Sequence, residues 1–560
     1  MRTNRKTEEK KMSMSKNIAR LAVTAGLTAA LSFGGVMAPV TMAFAEGDAN
    51  GSVTIEKASG NDTEFKGYKI FDADVAKDEN GQTLVSNIAW ANDKVEAAVK
   101  EAIEEFDKDT NIATAQDAAD WISKNVMHTG KTASVASDSA AYKIAAAVAK
   151  VTDLNDSSDL ATTVNGVADN LSHGYWLFVT DAQTVAGTET ATAPIFAVVG
   201  DESVSITEKT SIPTVDKQVR EGDAWGKVSD SYIGEEVEYK LTGSVASNID
   251  TFTKYEYTFQ DHLSVGLEAI KSSVKVTIND QVIQPANGYT VDLVDTKNAS
   301  GNLTGGQDLT ISFSNLKDAA AAAGVTLRGD SKVVVTYKAK LTDKAEYTAT
   351  GNTNDVKLVY SNNPMVEGTG TSTSERVTDH VFRLDVTKVE KGKESQKLEA
   401  TFQVKMTQEG NTPLKTNRWL TQTGGITEKE EEAGKFTTDK GTGKIYIPGL
   451  VAGTYEITEC NTPAGYNTLA PFTITVDPTY DKDGNLTGLD VTPSNTEMVT
   501  PSTTNDATIP VTIKNKKGSN LPLTGLNGVT FTWIAGGAVL AIGVAHLIRS
   551  RKQAEESEQE

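Results

Sequence analysis

The chain has 560 residues with 54 Lys and Arg against 75 Asp and Glu, a formal net charge of −21. Residues 1–45 carry seven basic and two acidic side chains and residues 525–560 three and four, leaving −25 on the stretch between; so acidic a surface excludes nucleic acid and anionic lipid as partners. Cys460 is the one cysteine, so no intramolecular disulfide forms, and the mechanical strength that exported small domains often take from disulfides must come from elsewhere.

The chain start predicts export. Arg2, Arg5, Lys6, Lys10, Lys11, Lys16 and Arg20 precede an apolar run from Leu21 to Val40, and Ala43-Phe44-Ala45 supplies the small-x-small pattern of signal-peptide cleavage before Glu46. The rival expectation, a retained first transmembrane helix, leaves that cleavage pattern unexplained. About 480 residues remain, enough for three or four domains.

Residues 46–210 mix two periodicities. Gly51-Ser-Val-Thr-Ile-Glu-Lys57 and Phe65-Lys-Gly-Tyr-Lys-Ile-Phe71 alternate as strands do. Val95, Ala98, Val99, Ala102, Ile103 and Phe106 recur at helical spacing, and two more helices are predicted near 114–126 and 139–151. Strands return at Tyr175–Val179 and Pro194–Val199, which gives a β-sandwich-like first domain with helical insertions. From 211 to 381 short alternating runs predict a second sandwich: Val237–Leu241, Tyr255–Phe259, Val274–Ile278, Leu309–Phe313, Lys332–Tyr337 and Val356–Tyr360. Asp318–Gly324 is expected to add one or two helical turns. A third domain, 382–518, carries strands around Leu384–Lys388, Ala400–Val404, Lys444–Ile447, Thr454–Ile457, Phe472–Val476 and Pro510–Lys514, with the Gly/Ser/Thr-rich Gly368–Ser374 at its boundary. The fold class is therefore mainly β, in tandem immunoglobulin-like sandwiches.

No enzyme site is legible. His128, His173, His262, His380 and His546 have no metal-ligand spacing, Cys460 has no neighbour that would activate it, and there is no phosphate loop, so neither cofactor nor metal is expected. Asp481-Lys-Asp-Gly-Asn485 lacks the spacing and distal glutamate of a calcium loop and predicts a hairpin turn.

Tyr455-Glu-Ile-Thr-Glu459-Cys-Asn-Thr-Pro463-Ala-Gly465-Tyr466 resembles the E-box of collagen-adhesin B-type domains in Gram-positive pilins, departing from it at Ile457, Cys460 and Thr462. The resemblance implies that Glu459 promotes a spontaneous isopeptide bond between a first-strand lysine, Lys388, and a last-strand asparagine, Asn515. The chemistry accounts for the residue types. Burial lowers a lysine's pKa and so frees the amine to attack, while a buried carboxyl stays protonated and relays protons. Ile212-Pro-Thr-Val-Asp-Lys217 and Tyr257-Thr-Phe-Gln-Asp261 likewise resemble the first and acid-bearing strands of the pilin middle domain. Lys217 and Asp261 would react there with Asn354, placed at the start of the last strand, or with its competitors Asn352 and Asn362.

The chain end holds Leu521-Pro522-Leu523-Thr524-Gly525, an apolar run from Val529 to Ile548 and the basic Arg549-Ser-Arg551-Lys552. An apolar segment of about 20 residues spans a bilayer, and the basic end stays cytoplasmic. Pro522 keeps the pentapeptide extended. This order resembles the sorting signal of Gram-positive surface proteins, which implies cleavage between Thr524 and Gly525 by a membrane-bound sortase. Pilins of this kind pass the acyl group to a lysine in W-x-x-x-V-x-V-Y-P-K. Val204-Ser-Ile206-Thr-Glu-Lys209 keeps two β-branched positions and the lysine, with Gly200 for the tryptophan and Thr207-Glu208 for Tyr-Pro.

The chain is accordingly identified as resembling the sortase-assembled backbone pilins, nearest the actinobacterial fimbrial subunits. That implies a cell-wall fimbria joined from Thr524 to Lys209 of the next subunit. Implied partners are a pilin-specific sortase, identical and accessory pilins, peptidoglycan and a host receptor or matrix ligand. The alternative is a wall-anchored adhesin or accessory pilin that does not polymerise.

Overall fold

The computed structural model describes residues 50–77, 83–126, 138–151, 159–208, 210–298, 300–502 and 506–518. The expected signal peptide, Lys209 and everything from 519 onward, including Leu521 to Gly525 and the apolar run, lie outside the described residues. Among the described residues no helix is long and apolar enough to cross a membrane. The fold is mainly β.

In the first domain Phe65–Lys77, Gly174–Thr180 and Ile195–Val199 form the heart of a five-stranded sheet. Tyr175, Leu177 and Val179 face one core, and Trp176 and Phe178 the other, so every residue of Gly174–Thr180 is buried. Three helices, Asp93–Phe106, Ala115–Asn125 and Ala140–Ala149, cover the first face, each starting at a side-chain cap from Asn92, Thr114 or Ser139. The second face packs on a small sheet of Gly51–Glu56, Val167–Leu171 and Ser203–Thr207. The helices are thus a third layer over the sheet, a closer role than the expected insertions, because the sheet's strands are apolar on both faces.

In the middle domain Val215–Glu221, Glu236–Ser244, Lys332–Leu341 and Leu267–Ile278 lie side by side in one sheet. Glu375–His380, Asn352–Ser361, Tyr257–Leu263 and Leu303–Phe313 lie side by side in the other, and one hydrophobic core fills the space between. The helix Leu316–Ala322 occupies the expected position. Gly368–Ser374, expected as a boundary, instead contributes Thr369–Thr371 to an edge of the second sheet, where it pairs with Val359, Tyr360 and Ser361.

The third domain opens with Phe382–Glu390, which pairs in parallel with the last strand among the described residues, Thr508–Asn515. The facing sheet contains Thr401–Glu409, Gly453–Asn461 and Phe472–Tyr480. Asp481–Asn485 is the turn of a hairpin, with the Asp481 carboxylate accepting the Asp483 and Asn485 amides. That turn docks on the middle domain, where Gly484 O lies 2.8 Å from His380 Nε2.

Candidate functional site

Two buried clusters of amine, acid and carboxamide stand out, and strand alternation builds both. In the third domain Leu384, Val386 and Lys388 follow one another on the inner face of their strand, as do Tyr455, Ile457 and Glu459, and Val511, Ile513 and Asn515 on theirs. A period of two carries a polar residue into the core at the end of each apolar row. Lys388 and Asn515 come from adjacent strands of one sheet and Glu459 from the sheet opposite.

Lys388 Nζ lies 3.1 Å from Glu459 Oε1, with both side chains fully buried. Asn515 Nδ2 donates to both Glu459 oxygens at 3.0 Å and to the Asn467 carbonyl at 3.0 Å. Leu469 N–H donates to Glu459 Oε2 at 2.7 Å, and Lys388 Nζ sits 5.1 Å from the centre of the Phe402 ring. Neither Lys388 Nζ nor Asn515 Oδ1 has an aligned hydrogen-bond partner. Burial pushes the Lys388 amine down to about 8, against the opposing pull of Glu459. The E-box loop folds over this end of the sandwich: Tyr466 O–H donates to Glu390 at 2.6 Å, and Asn467 N–H to the Lys516 carbonyl at 3.0 Å. Cys460 is exposed on the same strand.

In the middle domain Lys217 Nζ donates to Asp261 and, at 2.9 Å, to Asn354 Oδ1, all three being buried. Lys217 stands on one sheet, Asp261 and Asn354 on the other. Burial lowers the Lys217 pKa and raises that of Asp261, each partly opposed by the other, so both move toward their neutral forms. Of the three candidate asparagines only Asn354 meets the lysine. Asn352 turns toward the Glu346 amide and the Asp379 carbonyl, and Asn362 toward the Glu189 carbonyl in the first domain. Asn354 is not on the domain's last strand as expected; Glu375–His380 follows it and pairs beside it.

Sequence reading missed Tyr337. Its hydroxyl donates to Asp261 Oδ2 at 2.7 Å, accepts from Asn354 Nδ2 at 2.6 Å and lies 3.4 Å from Lys217 Nζ. The run Lys332-Val-Val-Val-Thr-Tyr337 reads simply as a strand, and Tyr337 sits within an inward row that continues through Ala339 and Leu341, so its hydroxyl is the one polar group on that face.

Residues 382–491 match the SpaA family model, described as a prealbumin-like fold domain. No curated protein matches the chain. Among solved structures the chain is similar in fold to Gram-positive major pilins. The T6 backbone pilin of serotype M6 Streptococcus pyogenes is 14% identical, covering 84% of this chain and 99% of its own, with a TM-score of 0.47. The full-length major pilin SpaD of Corynebacterium diphtheriae is 17% identical over 84% of this chain and 98% of its own, at 0.43. The major pilin SpaA of the same organism is 15% identical over 83% and 100%, at 0.42.

Proposed function

We propose that the chain is the major shaft subunit of a covalently polymerised surface fimbria. A sortase cleaves after Thr524 and joins it to Lys209 of the next subunit, and the last acyl group passes to peptidoglycan. The observation that carries this reading is the pair of buried amine, acid and carboxamide clusters at Lys217 and Lys388. They suit a subunit that bears tension. In each, the neutral lysine attacks the asparagine carbonyl carbon, the acid takes a proton from the amine, one proton is returned to the departing nitrogen, and ammonia leaves as the amide bond forms. The bond from Lys388 to Asn515 joins the first and last strands, so pulling force bypasses the sandwich between them. The sorting pentapeptide and the SpaA match over 382–491 support the same reading.

The test is a Lys209→Arg chain expressed beside a pilin sortase. The native chain should yield a ladder of covalent multimers on denaturing gels, and the variant monomers still linked to the wall. A ladder unaffected by Lys209→Arg would sink the assigned acceptor. The incomplete acceptor motif, with Gly200 and Thr207-Glu208 at its altered positions, favours one second reading, a wall-anchored adhesin that does not polymerise; wall linkage with no ladder from the native chain would support it.

A further inference from the structure

The two clusters differ in how acid meets amide. Glu459 touches the Asn515 nitrogen with both of its oxygens. Asp261 is shorter by one methylene. It contacts Lys217 with Oδ1, while Oδ2 and the Asn354 nitrogen both bond to the Tyr337 hydroxyl that stands between them. Tyr337 is placed there by the sheet that carries Lys217: it pairs with Tyr239 across one strand boundary, and Tyr239 pairs with Val219 across the next. Its ring stacks on that of Tyr239 at 5.3 Å, which holds the hydroxyl in place.

We propose that Tyr337 is a catalytic residue of middle-domain crosslinking, relaying a proton from Asp261 to the leaving nitrogen of Asn354. The proposal rests on the reading that Lys217 and Asn354 form an isopeptide bond. In the resting site the amide nitrogen donates to the hydroxyl, because its lone pair is delocalised into the carbonyl. Attack by Lys217 Nζ on the Asn354 side-chain carbonyl carbon makes that nitrogen tetrahedral and frees its lone pair. The hydrogen bond can then reverse. Asp261, held toward its neutral form by burial, enters with its proton on Oδ2 and its hydrogen bond to Tyr337 reversed: Oδ1 takes the amine's proton as the Oδ2 proton passes to the tyrosine oxygen and the tyrosine gives its own to the nitrogen. The carbon–nitrogen bond breaks, ammonia leaves, the new amide remains, and Asp261 and Tyr337 end as they began. Burial holds the phenol far above its ordinary pKa, so the hydroxyl stays neutral and serves as a bridge rather than a base.

The test uses the full-length chain with Tyr337→Phe, which keeps the ring stack and removes the hydroxyl. Mass spectrometry follows the Lys217–Asn354 and Lys388–Asn515 peptide pairs against time after synthesis. The middle-domain link should form about 100-fold more slowly or worse, within the range of a lost general acid, while the third-domain link keeps its native rate. Asp261→Glu combined with Tyr337→Phe should recover much of the loss, since the longer acid reaches the nitrogen directly, as Glu459 does. A purely structural role for Tyr337 predicts no such recovery. Native-rate closure in Tyr337→Phe overturns the relay and leaves the crosslink reading intact. A native chain with no Lys217–Asn354 link overturns both. If the phenylalanine variant fails to fold, 3-fluorotyrosine at position 337 keeps the hydroxyl but changes its acidity; closure at an unchanged rate then overturns the relay.

Discussion

Asn515 stands two residues beyond Ile513, the partner of Lys388 across a parallel pair of strands, so amine and amide project from one inner face toward Glu459. The proposed bond between them would close nearly the whole third domain into one covalent loop. Glu459→Gln keeps the shape and removes the proposed proton relay. The native chain should be lighter by one ammonia at this pair than the variant, and the variant's third domain should lose roughly 5 kcal/mol against urea, the loop-closure scale for about a hundred residues. Equal masses at this pair would sink the assignment.

The free amine of Lys388 should leave a pH signature once the reaction is blocked. In Asn515→Ala the lysine stays unreacted, with a folded-state pKa near 8 against an ordinary 10.5, because burial disfavours its charge. Between those values the unfolded chain binds more protons than the folded one, so stability rises as pH climbs from 8 to 10.5. The rise attributable to Lys388 is on the order of 3 kcal/mol. Urea titrations should show it in Asn515→Ala and lose it in Asn515→Ala combined with Lys388→Met. A slope common to both would assign it to other groups.

Asn354 and Asn352 offer a cleaner contrast. Both are buried on the same face of one strand, but only Asn354 reaches Lys217. Asn354→Ala should abolish the middle-domain link, seen as the missing peptide pair. Asn352→Ala should retain it, although it leaves the Glu346 amide without its acceptor. Loss of the link in Asn352→Ala alone would reverse the assignment.

That contrast marks the limit of what the sequence discloses. Lys388, Glu459 and Asn515 are legible because each sits beside a motif or at a domain end. Asn352 and Asn354 share a face because strand alternation repeats every two residues, so periodicity cannot separate them. Register does: Leu263 pairs with Asn354, one inward step from Asp261. Tyr337 escaped because a tyrosine in an apolar row fits a core equally well; only the position of Asp261 across the sandwich gives its hydroxyl a role. The helices of the first domain were legible from their spacing, but their place as a covering layer follows from Gly174–Thr180 being apolar on both faces, a tertiary fact.

The junction between the second and third domains supplies a last expectation. Asp379 is buried there; one of its oxygens accepts from Ser229 and Ser231 at 2.8 Å each, and the other has no partner. Burial, with Asp230 and Glu221 adding like charge, pushes the carboxyl up to about 7 from an ordinary 3.8. Between those values the folded chain binds the extra proton, so stability falls as pH rises from about 4 to 7 and then levels. Asp379→Asn keeps an oxygen for both serines and removes the titration. Its unfolding free energy should match that of the native chain near pH 4 and exceed it above pH 7, by on the order of 2–4 kcal/mol. The adjoining His380 meets Gly484 of the third domain, so the same variant should also resist proteolysis at the junction more strongly at alkaline pH. A decline between pH 4 and 7 as steep in Asp379→Asn as in the native chain would assign it instead to the neighbouring Glu221, Asp230 and Glu235, whose carboxyls burial also raises, and would sink the role given to Asp379.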